Sequence, residues 1–281
     1  MTGPGDLAGP SWRGGRFGER GRCVLAPNAG TMTLDGTNTW VLRETGAARA
    51  VVIDPGPPDP AHLDRVAAYA GQVAVVLLTH GHLDHAEAAR SFAERMGCGV
   101  RALDPAQRLG SEGLGDGDVV AVDGLELHVV ATPGHTSDSL SFVVPAERAV
   151  LTGDTVLGRG TTVVAHPDGQ LGAYLGSLHR LRALTDQQDL TAVWPGHGPV
   201  LDDAAAVLER YLEHRRDRLE QVREALHALT EQPQGQQATV PGEGLARRVV
   251  ERVYADVDER LWGAAELSVR AQIDYLRRPP R

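Results

Sequence analysis

The chain has 281 residues, of which 42% are hydrophobic and 23% charged, and its formal net charge is −9. A chain of this size buries a full core without disulfides or other staples. Every one of its 28 strongly basic residues is arginine, and acidic residues balance the arginines from residue 204 onward. The excess of acidic residues therefore lies upstream, and the charge lacks the basic footprint of a dedicated nucleic-acid-binding protein.

Residues 1–22 are rich in glycine and arginine and contain no apolar stretch of the kind that secretory signals carry. We predict that they form a loosely ordered leader. The two cysteines, Cys23 and Cys98, are too few for a disulfide framework. No segment approaches the roughly 18 apolar residues of a membrane helix. The sequence therefore predicts a protein of the reducing cytoplasm that has no membrane partner and no evident stable protein partner.

Residues 23–203 alternate short apolar segments with amphipathic ones, a pattern that predicts one mixed α/β domain. In chain order, the predicted strands are Thr39–Leu42, Ala50–Ile53, Val73–Leu78, Gly99–Leu103, Val119–Val122, Leu125–Ala131, Leu140–Val144, Ala149–Thr152 and Ala192–Trp194. The predicted helices of this domain are Pro58–Ala70, Asp84–Met96 and Leu171–Leu184.

Residues 204–281 have a different character, with long helical periodicity and interleaved arginine and glutamate. Helices are predicted over 202–230, 245–254 and 259–277, separated by a polar loop. We therefore place a domain boundary near residue 203 and predict a helical appendage. Its helices are candidates either to cover an active-site mouth or to form a homodimer contact.

The most informative segment directly follows the predicted buried strand Val73–Leu78. It places three imidazoles and a carboxylate within six residues, at His80, His82, Asp84 and His85. Histidine and aspartate are ligands that borderline and hard divalent ions accept. This density of ligand-type residues predicts a metal site at a sheet edge.

Four further ligand-type residues share one local setting, a strand end beside a glycine. They are Asp54 in IDPG, His135 in TPGHT, Asp154 in LTGDT and His197 in PGHG. Each alone is typical of a turn. Taken together, and in this order along the chain, they indicate that the metal site has ligands from several strand ends.

The ordered set HxHxDH, Gly-His, Gly-Asp and Gly-His resembles the metallo-β-lactamase superfamily. The resemblance implies an αββα sandwich with the site at one edge of its two sheets. It also implies two metal ions, Zn2+ in the first instance, with Mn2+ or Fe2+ as alternatives. One ion would be bound by His80, His82 and His135 and the other by Asp84, His85 and His197, with Asp154 bridging the two and Asp54 supporting the ligand loops.

The chemistry implied by this resemblance is hydrolysis. Two neighbouring metal ions can share a water and lower its pKa toward neutrality, so that a bridging hydroxide attacks a carbonyl carbon or a phosphorus. Asp84 is the candidate to steer the proton of the nucleophile. The expected reaction is cleavage of an ester, a thioester or a phosphodiester.

Two segments resemble the beta-lactamase-like protein 2 branch, namely residues 31–40 (TMTLDGTNTW) and residues 153–163 (GDTVLGRGTTV). The branch also carries a C-terminal winged-helix-like appendage, which the predicted boundary near residue 203 matches. Its members include a single-stranded RNA endonuclease and thioesterases that act on acyl carrier proteins. Candidate substrate-binding residues are Thr37, Asn38, Thr161, Thr162, His166 and Tyr174.

The sequence therefore leaves the identity of the substrate open. Net acidity favours a small ester or thioester, whereas the branch resemblance favours single-stranded RNA. An oxidoreductase of the same metal-binding pattern, a persulfide dioxygenase that uses one iron, is the alternative from another class.

Overall fold

Two six-stranded sheets form the centre of the protein, whose computed structural model describes residues 11–231 and 243–278. The first sheet follows chain order, with strands β1 (Gly14–Phe17), β2 (Gly21–Leu25), β3 (Asn38–Leu42), β4 (Arg49–Ile53), β5 (Gln72–Leu77) and β6 (Gly99–Arg101). The second sheet contains β7 (Val119–Val122), β8 (Leu125–Ala131), β9 (Leu140–Val144), β10 (Ala149–Gly153), β11 (Ala192–Pro195) and β12 (Leu201–Asp202). Its neighbouring strands run in the order β12-β11-β10-β9-β8-β7.

Helices pack on both sheets, and the C-terminal helices also pack on one another. They are α1 (Pro60–Ala70), α2 (Leu83–Ala86), α3 (Ala89–Met96), α4 (Leu171–Gln187), α5 (Ala204–Glu231), α6 (Glu243–Val253) and α7 (Trp262–Arg277). The single helix predicted over Asp84–Met96 is divided between α2 and α3. Within the described residues, no helix combines the length and the apolar character needed to cross a membrane.

The sheets pack face to face because their alternate side chains are apolar. Trp40 of the first sheet stacks on Trp194 of the second, with ring centroids 4.8 Å apart and planes 10° from parallel. Separate apolar clusters join the first sheet to α1 and α3, and the second sheet to α4 and α5. The predicted αββα sandwich is confirmed by this layering.

The prediction of a loosely ordered leader over residues 1–22 is wrong for its second half, and residues 1–10 lie outside the described residues. Strand β1 pairs with β2 in antiparallel register. The Phe17 ring lies 5.6 Å from the Trp40 ring, and Trp12 Nε1 donates a hydrogen bond to Asn38 at 2.7 Å. Aromatic contacts with the core therefore hold a glycine-rich segment in the sheet.

The first of the C-terminal helices packs both on the sandwich and on the other C-terminal helices. Helix α5 begins at Ala204, and Val207, Leu208 and Tyr211 in its first half are buried against the second sheet and α4. The second half of α5 packs with α6 and α7 around a smaller core that includes Val249 and Val269. One helix thus links the sandwich to the appendage.

The carboxyl ends of parallel strands bring the predicted ligands to one edge of the sandwich. Strands β4 and β5 are parallel and lead into Asp54 and into the segment from His80 to His85. Strands β10 and β11 are also parallel and lead into Asp154 and His197. Because such ends meet at the same edge of a sheet, ligands far apart in sequence become neighbours.

Candidate metal centre

Three histidines converge on one point at this edge. The Nδ1 atom of His82 lies 3.1 Å from Nε2 of His80 and 3.0 Å from Nε2 of His135. His80 and His135 are buried, and the three ring nitrogens form one of the groups able to hold a cation. The structure therefore assembles the first predicted ligand set, which we call the three-histidine group.

Asp84, His85 and His197 form a second cluster beside it, which we call the aspartate group. The Oδ2 atom of Asp84 lies 3.1 Å from Nε2 of His197 and 3.3 Å from Nε2 of His85, and these two nitrogens are 3.2 Å apart. Both histidines are buried, whereas the Asp84 side chain is 28% exposed. Of this group, only Asp84 faces the solvent to that extent.

The carboxylate of Asp154 lies beside both groups and is closer to the aspartate group. Its Oδ1 is 3.4 Å from Nε2 of His85, and its Oδ2 is 3.3 Å from Nε2 of His197 and 3.8 Å from Nε2 of His135. Oδ1 is buried without a hydrogen-bond partner. Because an unpaired buried carboxylate oxygen is costly, this atom fits a cation ligand.

The spacing of the donor atoms also fits metal ions. A tetrahedral Zn2+ with metal–nitrogen bonds of about 2.05 Å places its ligand atoms about 3.3 Å apart. All three separations within the aspartate group lie between 3.1 and 3.3 Å, and His82 Nδ1 lies 3.0–3.1 Å from the nitrogens of His135 and His80. Nitrogen lone pairs that face one another at this distance repel unless a proton or a cation lies between them, so the donor set suits a divalent ion in each group.

The ring nitrogens that point away from the groups have acceptor partners. Nδ1 of His135 lies 2.7 Å from the carbonyl oxygen of Val163, and Nδ1 of His197 lies 3.1 Å from that of Gly36. A carbonyl only accepts, so Nδ1 carries the proton and Nε2 presents its lone pair. The main chain therefore sets the tautomer that metal binding requires.

Asp54, predicted to support the ligand loops, forms hydrogen bonds with His85 and Thr79. Its Oδ2 accepts from Nδ1 of His85 at 2.9 Å and from the Thr79 hydroxyl at 2.6 Å. The same hydroxyl lies 3.0 Å from Nδ1 of His80. Thr79 is not among the predicted site residues, although its position directly before the histidine motif indicates that it lies near the ligands. Asp54 thus reaches a ligand of each group, one directly and one through Thr79.

The electrostatics differ between the two groups. Burial lowers the pKa of His80 and of His135, so both rings are neutral at physiological pH. Burial acts in the same direction on His197, but Asp154 and Asp84 outweigh it and raise its pKa to about 9. For His85, Asp154 and Asp54 likewise outweigh burial and raise the pKa well above its ordinary value. In the aspartate group, protons and cations therefore compete for the same lone pairs.

Two glycines leave room for the aspartate group. A Cβ atom at Gly196 would lie 2.6 Å from Oδ1 of Asp154 and 2.9 Å from Cε1 of His85. Gly153 has a φ of +48°, and a Cβ there would lie 2.6 Å from the Thr79 hydroxyl oxygen. The Gly-Asp and Gly-His pairs thus reflect close approach of the chain to the ligands.

Two of the candidate substrate-binding residues are buried in structural roles, and their prediction is wrong. Asn38 is fully buried, and its side-chain amide donates to the carbonyl oxygens of Pro195 at 2.9 Å and Gly198 at 2.8 Å. Tyr174 is also fully buried, and its hydroxyl donates to the Thr155 carbonyl at 2.7 Å. Neither side chain is accessible to a substrate.

Of the other four candidate substrate-binding residues, two contact predicted metal ligands and two do not. The Thr37 hydroxyl donates to Oδ2 of Asp84 at 3.3 Å, and the Thr162 hydroxyl lies 3.2 Å from Nδ1 of His135, so both contact ligands. Thr161 is exposed. His166 pairs with Asp274 of α7 at 2.9 Å. His166 is thus linked to the C-terminal helices rather than to the metal ligands.

A further buried histidine, His62 in the first turn of α1, lies outside the two groups. The side chain is fully buried, with Nε2 3.1 Å from the Pro55 carbonyl oxygen and 3.0 Å from the Thr39 hydroxyl. The Thr39 hydroxyl in turn donates to the carbonyl oxygen of Asp54 at 2.7 Å. His62 therefore braces the turn that carries Asp54.

A cavity of about 520 Å³ opens beside His82. Three carboxylates line it, those of Asp104, Asp138 and Asp168, together with uncharged polar side chains that include Gln107. Among the described residues, no arginine lines this cavity. The space next to the three-histidine group is therefore acidic.

Two segments of the chain match known protein families. Residues 32–197 match the Metallo-beta-lactamase superfamily, and residues 246–278 match the Beta-lactamase associated winged helix domain. The second match confirms the winged-helix-like character predicted for the appendage. In the described part of that match the structure contains helices.

Two relatives illustrate the similarity. A Beta-lactamase-like protein 2 homolog of Caenorhabditis elegans is 33% identical over 245 residues, which cover 83% of this chain and 76% of that protein. An atrochrysone carboxyl ACP thioesterase of Aspergillus fumigatus is 36% identical over 214 residues, which cover 72% of this chain and 64% of the relative. The chain thus spans less than two thirds of the fungal protein's length.

Among solved structures, a metallo-beta-lactamase family protein of Thermus thermophilus superposes with a TM-score of 0.69. It is 21% identical, and the superposition covers 92% of this chain and 93% of that one. At this identity the likeness concerns the fold.

Proposed function

The chain belongs to the metallo-beta-lactamase superfamily, and we propose that it is a dinuclear metal-dependent hydrolase that cleaves a thioester or an ester. Family membership gives the class of metal-dependent hydrolase. We propose in addition that the protein binds two metal ions and that the bond it cleaves is a thioester or an ester. The acidic cavity beside His82 is the observation that favours a thioester or ester over RNA.

The case for two ions comes from the donor atoms. Each group offers three ligand atoms within 4.8 Å of one another. The Asp154 oxygens lie 3.3–3.4 Å from the two histidines of the aspartate group, and Oδ2 lies 3.8 Å from His135 of the three-histidine group. When bound, two divalent ions would lower the pKa of a water between them and polarise the oxygen of the substrate carbonyl. A single iron would use only one of these donor sets, so the assembly of a second set beside the first supports a dinuclear centre.

Asp84 is the residue we propose to hold the proton of the attacking water. Burial alone would raise the pKa of this carboxyl group, but hydrogen bonds from His197 and His85 lower it below its ordinary range, so Asp84 is ionised at neutral pH. The Thr37 hydroxyl fixes the orientation of Oδ2. An ionised, oriented and partly exposed carboxylate is suited to accept a proton.

The cavity separates the two substrate classes. RNA presents one negative charge per nucleotide, and proteins that bind it neutralise these charges with arginine or lysine. Asp104, Asp138 and Asp168 would instead repel a phosphodiester backbone. A neutral acyl chain or an uncharged amide-containing arm meets no such repulsion. The acidic lining therefore favours a thioester or ester over single-stranded RNA.

A substrate panel tests the proposal directly. The Zn2+-loaded protein would be assayed on an acyl-pantetheine thioester, a p-nitrophenyl ester, bis-p-nitrophenyl phosphate and a short single-stranded RNA. We expect turnover on the thioester or ester and two Zn2+ per chain by metal analysis. Preferential cleavage of the RNA, or a content of one iron per chain with no hydrolysis, would contradict the proposal.

Two variants assign the roles within that assay. Asp84→Ala removes the proposed proton acceptor and is expected to lower kcat by a factor of about 10² or more. Asp104→Asn, which alters the cavity wall but no ligand, serves as the matched control and should retain the metal content. It should also reduce the discrimination against the phosphodiester. Full activity in Asp84→Ala would refute the assigned role.

A further inference from the structure

A short segment without regular secondary structure, residues 162–164, lies between the metal centre and the C-terminal helices. Its carbonyl and amide groups point alternately to the two sides. The Val163 carbonyl accepts from Nδ1 of His135 at 2.7 Å. On the other side, Nη2 of Arg215 donates to the carbonyl of Thr162, and the Val164 amide donates to Ser268 Oγ at 3.1 Å. One strip of backbone thus connects a metal ligand with α5 and α7.

Arg215 is an unusual residue for this place. It is 3% exposed, and its guanidinium lies over the Tyr174 ring, 4.8 Å from the centroid. In the part of the chain that the structure describes, no carboxylate forms an ion pair with it, and its Nε has no hydrogen-bond partner. Burying a cation without an anionic partner costs free energy, so packing alone does not account for an arginine here.

Neighbouring contacts fix the rest of the same loop. The Tyr211 hydroxyl, one turn before Arg215 on α5, accepts from the Leu157 amide at 2.8 Å and donates to the Gly160 carbonyl at 3.2 Å. On the metal side, the Ala165 amide donates to the backbone carbonyl of His135 at 3.1 Å. The loop therefore follows α5 at its outer face and holds both the ring and the main chain of His135 at its inner face.

We propose that Arg215 is a positioning residue for the metal ligand His135, acting through the carbonyl of Thr162 and the adjoining carbonyl of Val163. The C-terminal helices then determine how well the three-histidine group binds its ion. A charged donor holds the Thr162 carbonyl more firmly than a neutral one. Partners that orient ligating histidines typically change metal affinity by about 10- to 100-fold when they are removed.

The chain offers a closely matched control on the same helix. Arg218 also donates to a backbone carbonyl, that of Val253 at 2.7 Å, and also lies over an aromatic ring, 4.3 Å from the centroid of Tyr254. Val253 is the last residue of α6 and Tyr254 directly follows it, so both partners lie in the C-terminal region. Arg218→Met therefore removes the same kinds of contact without touching the segment that leads to His135.

The test is a Zn2+ titration of the metal-free protein, with histidine side-chain NMR as the second readout. Arg215→Met is expected to weaken Zn2+ binding at the three-histidine group by about 10-fold or more. It should also broaden or lose the His135 Nδ1–H signal. Arg218→Met should leave both unchanged even where it lowers stability. Arg215→Lys, which keeps a charged donor, should recover part of the affinity.

Ser268→Ala supplies an independent arm in case Arg215→Met fails to fold. It removes the acceptor of the Val164 amide and should weaken the same Zn2+ site to a smaller degree. The inference is overturned if a folded Arg215→Met protein, or Ser268→Ala when the former does not fold, binds Zn2+ as the unaltered protein does. An equal loss of affinity in Arg218→Met would overturn it as well.

This inference rests on the metal site of the proposed function but not on its substrate. The two can fail separately. Failure of the unaltered protein to bind Zn2+ would remove the proposed function, whereas unchanged Zn2+ binding in the Arg215 variants would remove only the role of Arg215.

Discussion

Asp54 and Thr79 are joined by two hydrogen bonds, from the Thr79 amide to Oδ1 at 2.8 Å and from its hydroxyl to Oδ2 at 2.6 Å. The pair ties the end of β4 to the start of the histidine motif after β5. Since Oδ2 also accepts from His85, and the hydroxyl contacts His80, one carboxylate and one hydroxyl orient a ligand of each group. Metal binding should therefore depend on Asp54 and Thr79, although neither is itself a predicted ligand.

Thr79→Val tests this dependence, because valine keeps the shape and removes the hydroxyl. The variant leaves Oδ2 of Asp54 with one donor fewer, so we expect a loss of about 1–3 kcal/mol in the free energy of unfolding. Zn2+ affinity should fall about 10-fold. Thr185→Val is the control, since this buried hydroxyl donates within α4 to Arg182. Unchanged Zn2+ affinity in Thr79→Val would show that Thr79 orients no ligand.

Gly196→Ala should damage the aspartate group, because the added methyl would meet Asp154 and His85 at less than 3 Å. We expect a reduced Zn2+ stoichiometry, measured by metal analysis after dialysis, with destabilisation of about 1–3 kcal/mol. Gly176→Ala in α4 is the matched control, since a Cβ there meets nothing within 4 Å. That change should stabilise the protein by about 0.5–1 kcal/mol. Two bound Zn2+ in Gly196→Ala would contradict the steric argument.

His62 should make the metal-free protein less stable in acid. Burial lowers the pKa of His62 to about 4 in the folded state, against an ordinary value of 6.5. As the pH falls from 6.5 toward 4, the unfolded chain takes up a proton that the folded chain refuses, so stability decreases. Through His62, the free energy of unfolding should fall by about 3 kcal/mol over this pH range.

Urea unfolding of the metal-free protein at a series of pH values measures this contribution. His62→Gln cannot titrate, and its loss of stability between pH 6.5 and pH 4 should be smaller by that amount. Comparing the two proteins cancels the other groups that titrate in this range. Equal pH dependence in both would mean that His62 contributes nothing.

Asn38→Leu distinguishes a structural role from substrate binding. The Asn38 side chain accepts from Trp12 and Cys23 and donates to the carbonyls of Pro195 and Gly198. Leaving these buried groups unpaired should lower the free energy of unfolding by about 3 kcal/mol or more. Denaturant unfolding measures the loss. For the folded fraction KM should stay unchanged, and a raised KM at full stability would restore Asn38 as a substrate-binding residue.

His135, Asp154 and His197 could be found in the sequence because each directly follows a glycine near a strand end. His80 to His85 also lie close together in the chain. Asn38 and Tyr174 could not be assigned in this way. Their polar groups are typical of substrate contacts, yet partners distant in sequence, Pro195 for Asn38 and Thr155 for Tyr174, bury them.

The N-terminal segment illustrates the same limit. Its glycines and arginines are typical of a loosely ordered chain, and the contacts that order it come from elsewhere. Trp40 and Trp194 receive the Phe17 ring, and Gly21 fits against Trp194 because a Cβ atom there would lie 2.5 Å from that ring. Local composition carries no signal of such tertiary contacts. The helices, by contrast, follow their own periodicity.

The stacked pair Trp40 and Trp194 gives the sandwich an internal spectroscopic reporter. The two indoles belong to different sheets, so their excited states couple only while the sheets remain in contact. Near-ultraviolet circular dichroism should therefore follow separation of the sheets, while far-ultraviolet signal follows the helices. The two halves of the catalytic domain can thus be observed coming apart without any added label.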